Sequence, residues 1–316
     1  IQKNNRLTHN THSDRMYTKS HDSEHMCGRQ RGCLPGVRMQ HPLAGTAVLT
    51  PDSLRRIDGA VTSLYTILKI KNRRRGTLPY YGHKGCDFSH ASLLFFRPGE
   101  RISLNTATYA EEACIVAFAK ELAAGSGMES DMEGYTFFGY RTDEALHVSE
   151  YEERTLDRLF HDITAELETC IDDYSCKIIG RRIGMMLDYC GRFYNRQFIM
   201  RADSNRKTVR QARHVIHDFF TKEADRHGDM PQADYIAART GTSEAYLKDI
   251  IRKETGLSVG RYTEMIRLDM ARDMLMHSHK TDGEIASVLN FGSVRCFRLF
   301  FSRTTGMTTE ECRTSS

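Results

Sequence analysis

The side chains in this sequence that are best suited to binding a ligand are arginines. They project from a short predicted helix near the C-terminal end of the sequence. The segment 291–303 holds Arg295, Arg298 and Arg303 and no acidic residue. The guanidinium fork of an arginine can donate two hydrogen bonds to the major-groove edge of a guanine, which is worth about 1–3 kcal/mol of discrimination. Contacts from the same group to phosphate add affinity without sequence preference. The segment therefore has the chemistry of a nucleic-acid reader.

A helix–turn–helix pattern positions these arginines. Thr281 and Glu284 have the spacing of a capping box at the start of a short helix, and Asn290 lies in the turn that follows. Ser293 can then cap a second helix that runs to about residue 304. We expect this second helix to carry the arginines into a major groove, as recognition helices do in this geometry.

The same pattern occurs earlier, in residues 233–255. A short helix ends at Gly241, Ser243 caps the next helix, and Gly256 ends that helix. One helical hairpin alone is a weak signal, because such hairpins are common. Two copies in the same order, at about 233–255 and 281–304, are a much stronger signal of a double helix–turn–helix domain.

A long helix is predicted over 260–277, between the two units, and more than half of its circumference is apolar. At ~1.5 Å per residue it spans roughly 27 Å. This length is compatible with two recognition helices that enter major-groove segments ~34 Å apart. We interpret the helix as a rigid spacer that is buried between the units.

Helical geometry separates the inward faces of the two recognition helices from the faces available to DNA. Arg295 and Arg298 are predicted to contact guanine, whereas Arg252, Lys253 and Arg303 are better placed for phosphates. The alternative for each charged residue is an ordinary solvated helix face. The residues predicted to form the DNA-binding surface are Ser243, Ala245, Lys248, Asp249, Arg252, Lys253, Ser293, Val294, Arg295, Arg298, Leu299 and Arg303.

The C-terminal segment resembles, without gaps, the DNA-binding domain of AraC/XylS-type transcriptional regulators. The resemblance implies a regulator that binds double-stranded promoter DNA, with RNA polymerase as a further partner and an N-terminal domain for effector binding or dimerisation. The sequence departs from the family pattern at Asn290, where glycine is usual, at Leu299, where arginine is common, and at Thr309, where proline is usual. The residues that carry the resemblance are 246–256, 267–275, 284–286, Asn290-Phe291, Phe297, Phe301 and 306–308.

Short apolar segments separated by turn residues predict strands in the region 46–145. Residues 64–71, 92–96 and 113–118 have the length and spacing of strands, and Pro98-Gly99 predicts a type II turn. Such strands indicate a small antiparallel barrel or sandwich. The region also resembles, less specifically, the cupin-like sensor domain that many AraC/XylS-type regulators carry.

A barrel of this kind could bind a small-molecule effector in its mouth. The alternative is that its aromatic residues only fill the interior. His83 and His90 do not form a pair with metal-ligand spacing, which argues against a metal-dependent enzyme on this scaffold. The residues predicted to line an effector pocket are Tyr65, Phe88, Phe95 and Phe96.

Two amphipathic helices are predicted in residues 146–204. Ser149 and Glu152 form a capping box, and apolar residues then recur at three- and four-residue steps through both helices. A helical hairpin of this kind can pack on the barrel and also pair with a second subunit, so a homodimer is an additional hypothesis. The polar, unpatterned residues 201–207 suggest that the C-terminal domain begins at about residue 205.

Bulk composition gives no independent argument for DNA binding. The chain has 45 Lys+Arg and 41 Asp+Glu, and the net excess of +4 lies in residues 1–40. Nine cysteines without a CxxC pair fit a reducing compartment better than a disulfide framework, so a cytoplasmic location is expected. No apolar run approaches the ~18 residues of a membrane span. No secretory signal is recognisable either.

Residues 1–45 are polar and lack apolar periodicity, which favours a disordered leader. His25, Cys27, Cys33 and His41 lie close together in this leader, but their spacing matches no known zinc pattern. We therefore expect neither a metal site nor a cofactor.

Together these features predict an α+β multidomain protein. Its parts are a polar leader (1–45), a cupin-like β-barrel (46–145) with a helical hairpin (146–204), and an all-α double helix–turn–helix domain (205–316). The leading hypothesis is a sequence-specific DNA-binding transcription regulator that an effector or dimerisation controls. The alternatives are a protein-interaction module with degenerate helix–turn–helix units and, with less support, a cupin-type enzyme.

Overall fold

The N-terminal half of the protein is built on one antiparallel sheet. The computed structural model describes residues 34–72, 82, 84–88, 90–104, 110–223 and 230–314. The sheet has five strands in the order β1-β4-β2-β3-β5, and every neighbouring pair runs antiparallel. The strands are β1 (Ala44–Leu49), β2 (Tyr65–Asn72), β3 (Ala91–Phe96), β4 (Ala110–Phe118) and β5 (Leu146–Val148).

The described strands form one open sheet with β1 and β5 at its edges, so the barrel expected from the sequence is not observed in this part of the chain. Both faces of the sheet are covered. Helix α1 (Pro51–Ile57) lies on one face, together with the buried residues Ile102 and Leu104. The helical hairpin covers the other face.

Successive residues of a strand point to opposite faces, and this alternation divides the apolar core into two layers. Ile67, Phe95 and Val116 pack on the hairpin side, whereas Leu68 and Phe96 pack on the side of α1. Within β2, the charged residue Lys69 is buried and forms ion pairs with carboxylates of the hairpin.

The described end of the predicted leader is packed rather than disordered. Leu34 and Val37 are buried against the α1 side of the sheet, and His41 forms a bridge with Ala44. Residues 1–33 lie outside the described part of the chain, and so does most of the cluster of soft ligands noted above, His25, Cys27 and Cys33.

The helical hairpin forms as predicted. Helix α4 (Glu150–Leu167) follows β5 and begins with a capping box between Ser149 and Glu152. Helix α5 (Ser175–Met200) runs back along it. Two short helices, α2 (Lys120–Ser126) and α3 (Glu129–Met132), and two 3₁₀ turns (Thr136–Gly139 and Thr142–Glu144) lead from β4 to β5.

The residues expected to form an unpatterned linker are helical. Helix α6 (Ala202–Asp218) follows α5 after the single residue Arg201. Arg201 and Asn205 are buried, because Arg201 pairs with Asp87 and the Asn205 amide donates to the carbonyl of Phe198. Two of the polar residues in this segment therefore make buried contacts, whereas Asp203, Arg206 and Lys207 are exposed to solvent.

The C-terminal part contains two helix–turn–helix units around one core, as the sequence predicted. The first unit is α7 (Ala233–Thr240) and α8 (Glu244–Thr255), and the second is α10 (Asp282–Val288) and α11 (Val294–Thr305). Helix α9 (Val259–His277) joins them, and α12 (Thr309–Thr314) follows. Apolar side chains from both units and from α9 share one cluster.

The local signals that define these helices are confirmed. Ser243 and Ser293 each cap a recognition helix through their hydroxyls, and Thr281 forms the predicted capping box with Glu284. Asn290 has a φ of 55°, so asparagine adopts the left-handed conformation that the family pattern usually assigns to glycine. No helix in the described ranges is both long and apolar enough to cross a membrane.

Candidate nucleic-acid interface

The second recognition helix, α11, presents a basic face. Phe297 and Phe301 are buried in the C-terminal core, which turns the opposite side of the helix outwards. Arg295, Arg298 and Arg303 are exposed on that helix, as the sequence predicted. Arg295 forms no ion pair with any described residue, so its guanidinium is available to a ligand.

The apolar members of the same face are also exposed. Val294 and Leu299 are 37% and 45% exposed. With Ser302 they lie in an open groove between α11 and α12. An aliphatic side chain beside arginines suits contact with a thymine methyl group.

Arg298 is held by an acidic residue of the preceding helix. Its Nε donates to Oδ2 of Asp282 over 2.7 Å. Asp282 also accepts hydrogen bonds from Thr309 and Arg313 of α12. The spacing of Asp282 in the sequence gives no sign that side chains from α11 and α12 meet at its carboxylate.

The first recognition helix, α8, differs because much of its outer face is covered. Lys248 and Arg252 are exposed, and Lys248 pairs with Glu244 one turn earlier. Ala245 and Asp249, which were predicted to face DNA, are only partly exposed. They point instead at the N-terminal half of the protein, and this part of the predicted orientation is wrong.

Residues 136–144, called the covering segment here, pack against α8. The hydroxyl of Tyr140 donates to Oδ2 of Asp249 over 2.6 Å. A Cβ atom placed on Gly139 would lie 3.0 Å from the Cβ of Ala245, so the two backbones approach closely. Helix α8 is thus buried on two faces, of which the apolar periodicity of its sequence predicts only one.

The covering segment also contacts the turn before α8. Oε1 of Glu144 accepts a hydrogen bond from the backbone N–H of Ser243 over 2.7 Å, and Arg141 donates to the carbonyl of Gly241 over 3.1 Å. Burial raises the pKa of Glu144, although hydrogen bonds from Ser243 and Arg141 oppose that effect. Ser243, predicted to flank the DNA, is thus tied to the N-terminal half.

The far end of α8 meets helix α5. Lys253, predicted to contact phosphate, donates to the side chain of Asn195 and lies 5.1 Å above the ring of Phe198. Tyr246 and Ile250, from the same helix, belong to the core cluster of the N-terminal half. Contacts with the N-terminal half therefore extend along the whole length of α8.

A buried ion pair in the N-terminal half contacts α8 through Tyr246. Arg201 Nη2 lies 2.7 Å from Oδ2 of Asp87, and Arg201 Nη1 donates to the Tyr246 hydroxyl over 3.2 Å. The two charged side chains are 2% and 0% exposed. Burial alone would raise the pKa of Asp87, but the hydrogen bonds and charge of Arg201 outweigh it and hold that pKa below its usual value.

The aromatic residues predicted to line an effector pocket do not come together. Tyr65 and Phe95 pack on Phe138 within the hairpin-side core, whereas Phe96 is buried on the opposite face of the sheet. Phe88 is exposed and lies under the guanidinium of Arg196. Neighbours in a strand point to opposite faces, so Phe95 and Phe96 cannot wall one pocket. Tyr65, Phe95 and Phe96 instead pack in the interior, which is the alternative that the sequence left open.

Soft metal ligands are dispersed in the described ranges. No group of three histidine, cysteine or carboxylate side chains there is arranged to hold a metal ion. The seven described cysteines are all free thiols. Burial raises the pKa of Cys114 to about 11, so this thiol is unreactive at neutral pH.

Comparison with known proteins agrees with the geometry of the C-terminal part. A protein-family model described as a helix-turn-helix domain matches residues 236–315. The curated protein HTH-type transcriptional activator RhaR of Klebsiella pneumoniae is 32% identical over 76 residues, which are 24% of this chain and 27% of that protein. RhaR of Escherichia coli is 29% identical over 80 residues, 25% of this chain and 28% of that protein. The chain thus spans about a quarter of the length of these relatives.

Solved structures give weaker likenesses. An AraC-type transcriptional regulator from Chromobacterium violaceum has a TM-score of 0.31 and 19% identity, covering 36% of this chain and 95% of that chain. ToxT from Vibrio cholerae has a TM-score of 0.25 and 13% identity, covering 85% of this chain and 98% of that chain. Both scores are too low to compare the arrangement of the two halves.

The sequence match and the helical geometry cover the same segment. It contains both capped recognition helices and the spacer helix between them. The C-terminal segment 236–315 is therefore similar to a helix-turn-helix domain, and this similarity extends to the HTH-type transcriptional activator RhaR.

Proposed function

We propose that this protein is a sequence-specific transcription regulator that binds double-stranded promoter DNA. The observation that carries the proposal is the exposed basic face of α11, a capped recognition helix within the matched domain. The relatives are named as transcriptional activators, and proteins of this type are regulators and not enzymes. The cupin-type enzyme therefore has no support.

We propose further that the N-terminal half controls DNA binding by covering α8. In this closed arrangement Ala245 and Asp249 lie against the covering segment, so only α11 offers a complete reading face. An effector or a second subunit that separates the halves would expose the first reader. The closed and open states would then differ in affinity for DNA. A ligand that binds one state more tightly could therefore control DNA binding.

A homodimer through α5 is consistent with its exposed side chains. Ile178, Met185 and Ile199 are 37%, 53% and 77% exposed and lie seven and fourteen residues apart, on one stripe of the helix. We expect the double variant Ile178→Glu and Met185→Glu to sediment as a monomer where the parent protein sediments as a dimer. Identical sedimentation of parent and variant would contradict this interface.

The proposed function is tested by selection of DNA from a random pool with the full-length protein at about 150 mM salt, near physiological ionic strength. We expect enrichment of a short motif that α11 reads. Absence of any enriched sequence would favour the protein-interaction module instead.

Substitution of two arginines then separates base contacts from phosphate contacts. Arg298→Ala should reduce binding to the selected motif about tenfold or more and relax the preference at one base pair, because it removes a bidentate contact worth about 1–3 kcal/mol. Arg252→Ala should weaken binding to selected and random DNA alike and reduce the salt slope by about 1. Equal losses on both DNAs for both variants would contradict the assignment of Arg298.

A further inference from the structure

The carboxylate of Asp282 lies at a junction of three helices of the second unit. It is in the first turn of α10 and its side chain is 10% exposed. Oδ2 accepts from Arg298 Nε over 2.7 Å and from the Thr309 hydroxyl over 2.8 Å, while Oδ1 accepts from Arg313 Nη2 over 3.0 Å. The recognition helix α11 contributes only Arg298 to this network.

The contact fixes one edge of the Arg298 guanidinium and leaves the other edge open. Nε is engaged by Asp282, whereas the nearest approach of Glu310 to Nη2 is 3.9 Å, at the limit of an ion pair. The side chain is 54% exposed, so its terminal nitrogens remain accessible. Two parallel hydrogen bonds to guanine require such a fork, and an arginine already held in place loses less rotamer freedom when it binds.

The negative charge of Asp282 has a second effect. Burial alone would raise the pKa of Asp282, but hydrogen bonds from Arg298, Thr309 and Arg313 hold it below the usual value, so the group is ionised at neutral pH. An ionised carboxylate beside Arg298 offsets the attraction of that arginine for phosphate. Contacts to phosphate do not distinguish DNA sequences. The ion pair between Asp282 and Arg298 therefore weakens non-specific binding to DNA.

Arg295 provides the comparison within the same helix. It is exposed on α11, three residues before Arg298, and pairs with no carboxylate in the described ranges. Its guanidinium can therefore turn to a base or to a phosphate. The two arginines differ in how strongly their orientation is fixed before DNA arrives.

We propose that Asp282 is a positioning residue that determines base specificity by orienting Arg298 for guanine and by withholding it from phosphate. The proposal rests on the proposed function, because it requires that α11 reads DNA. It assigns to this chain a specificity determinant that never touches a base.

The experiment uses the full-length Asp282→Asn variant, which keeps the shape of the side chain and removes its charge. Competition is measured between the selected motif and versions with each base pair substituted in turn. We expect discrimination at one guanine-containing base pair to fall about fivefold to tenfold, within the range of a single base contact. Affinity for random DNA is expected to stay equal or to rise.

A double-mutant cycle separates positioning from a general loss of structure. If Asp282 acts through Arg298, then Asp282→Asn has no further effect on specificity in an Arg298→Ala background, but keeps its full effect in an Arg295→Ala background. A uniform loss of affinity at every base pair that persists in the Arg298→Ala background would overturn the proposal.

The two proposals fail in different ways. Unchanged discrimination in Asp282→Asn, with the parent protein still selecting a motif, overturns only the role of Asp282. A parent protein that selects no motif overturns the proposed function and this inference together.

Discussion

Replacement of Gly139 by leucine is expected to raise the affinity of the full-length protein for its selected DNA about tenfold, because it separates the covering segment from α8. A Cβ at position 139 would already lie 3.0 Å from the Cβ of Ala245 and 2.7 Å from Nη2 of Arg97. The Arg97 side chain can move, but the backbone of α8 can relieve the remaining crowding only by moving away. Opening increases the binding-competent fraction, and apparent affinity follows that fraction.

The selected sequence should change together with the affinity. With α8 exposed, the variant is expected to enrich a second motif about ten base pairs from the first, one turn of the DNA helix away. The substitution is in the N-terminal half and leaves every proposed DNA-contacting side chain intact. A gain in affinity therefore cannot come from a new contact to DNA by the recognition helices.

Gly85→Leu is the matched control. Nothing lies within 4 Å of a Cβ at that position, so the same side chain is added there without crowding a neighbour. We expect the affinity of this variant for DNA to equal that of the parent protein. If Gly139→Leu likewise binds DNA with unchanged or lower affinity, then the covering segment does not restrain DNA binding.

Arg201→Ala is expected to lower the free energy of unfolding by about 3–5 kcal/mol, which is the usual effect of removing one partner of a buried ion pair. Asp87 is fully buried, and Arg201 donates to both of its carboxylate oxygens. Without the guanidinium, the carboxylate loses its charged partner and Tyr246 loses a donor. Denaturant unfolding at neutral pH measures the change.

Arg206→Ala is the control for this substitution. Arg206 pairs with Asp203 on the surface of α6, and both side chains are exposed. Exposed pairs contribute about 0–1 kcal/mol. A loss of stability in Arg201→Ala that is no larger than in Arg206→Ala would show that the buried pair does not stabilise the fold.

The same pair predicts how stability depends on pH. Because Arg201 lowers the pKa of Asp87 in the folded state, the stabilisation is complete above the pKa of an unfolded aspartate, about 3.9, and is lost as the pH falls through the lower folded-state value. Parent protein and Arg201→Ala should therefore converge in stability under acid conditions. Parallel curves over the whole acid range would contradict this linkage.

The features of this protein that the sequence determined are local ones. Ser149, Thr281 and Ser293 begin their helices where their spacing to the following residues predicts, because a cap satisfies backbone donors within one turn. Asn290 adopts the left-handed turn conformation for an equally local reason. The inward faces of α8 and α11 follow from helical periodicity, and with them the double helix–turn–helix domain.

Only the tertiary structure decided what lies against the remaining faces. Periodicity identifies which side of a helix is apolar, but α8 is buried on two sides, and the second partner comes from residues 136–144 far away in the sequence. The same limit applies to Phe95 and Phe96, whose separation depends on both faces of the sheet being covered. The sequence shows Arg201 and Asp282 only as polar residues. In the fold, Arg201 forms a buried ion pair with Asp87, and Asp282, itself largely buried, pairs with the exposed Arg298.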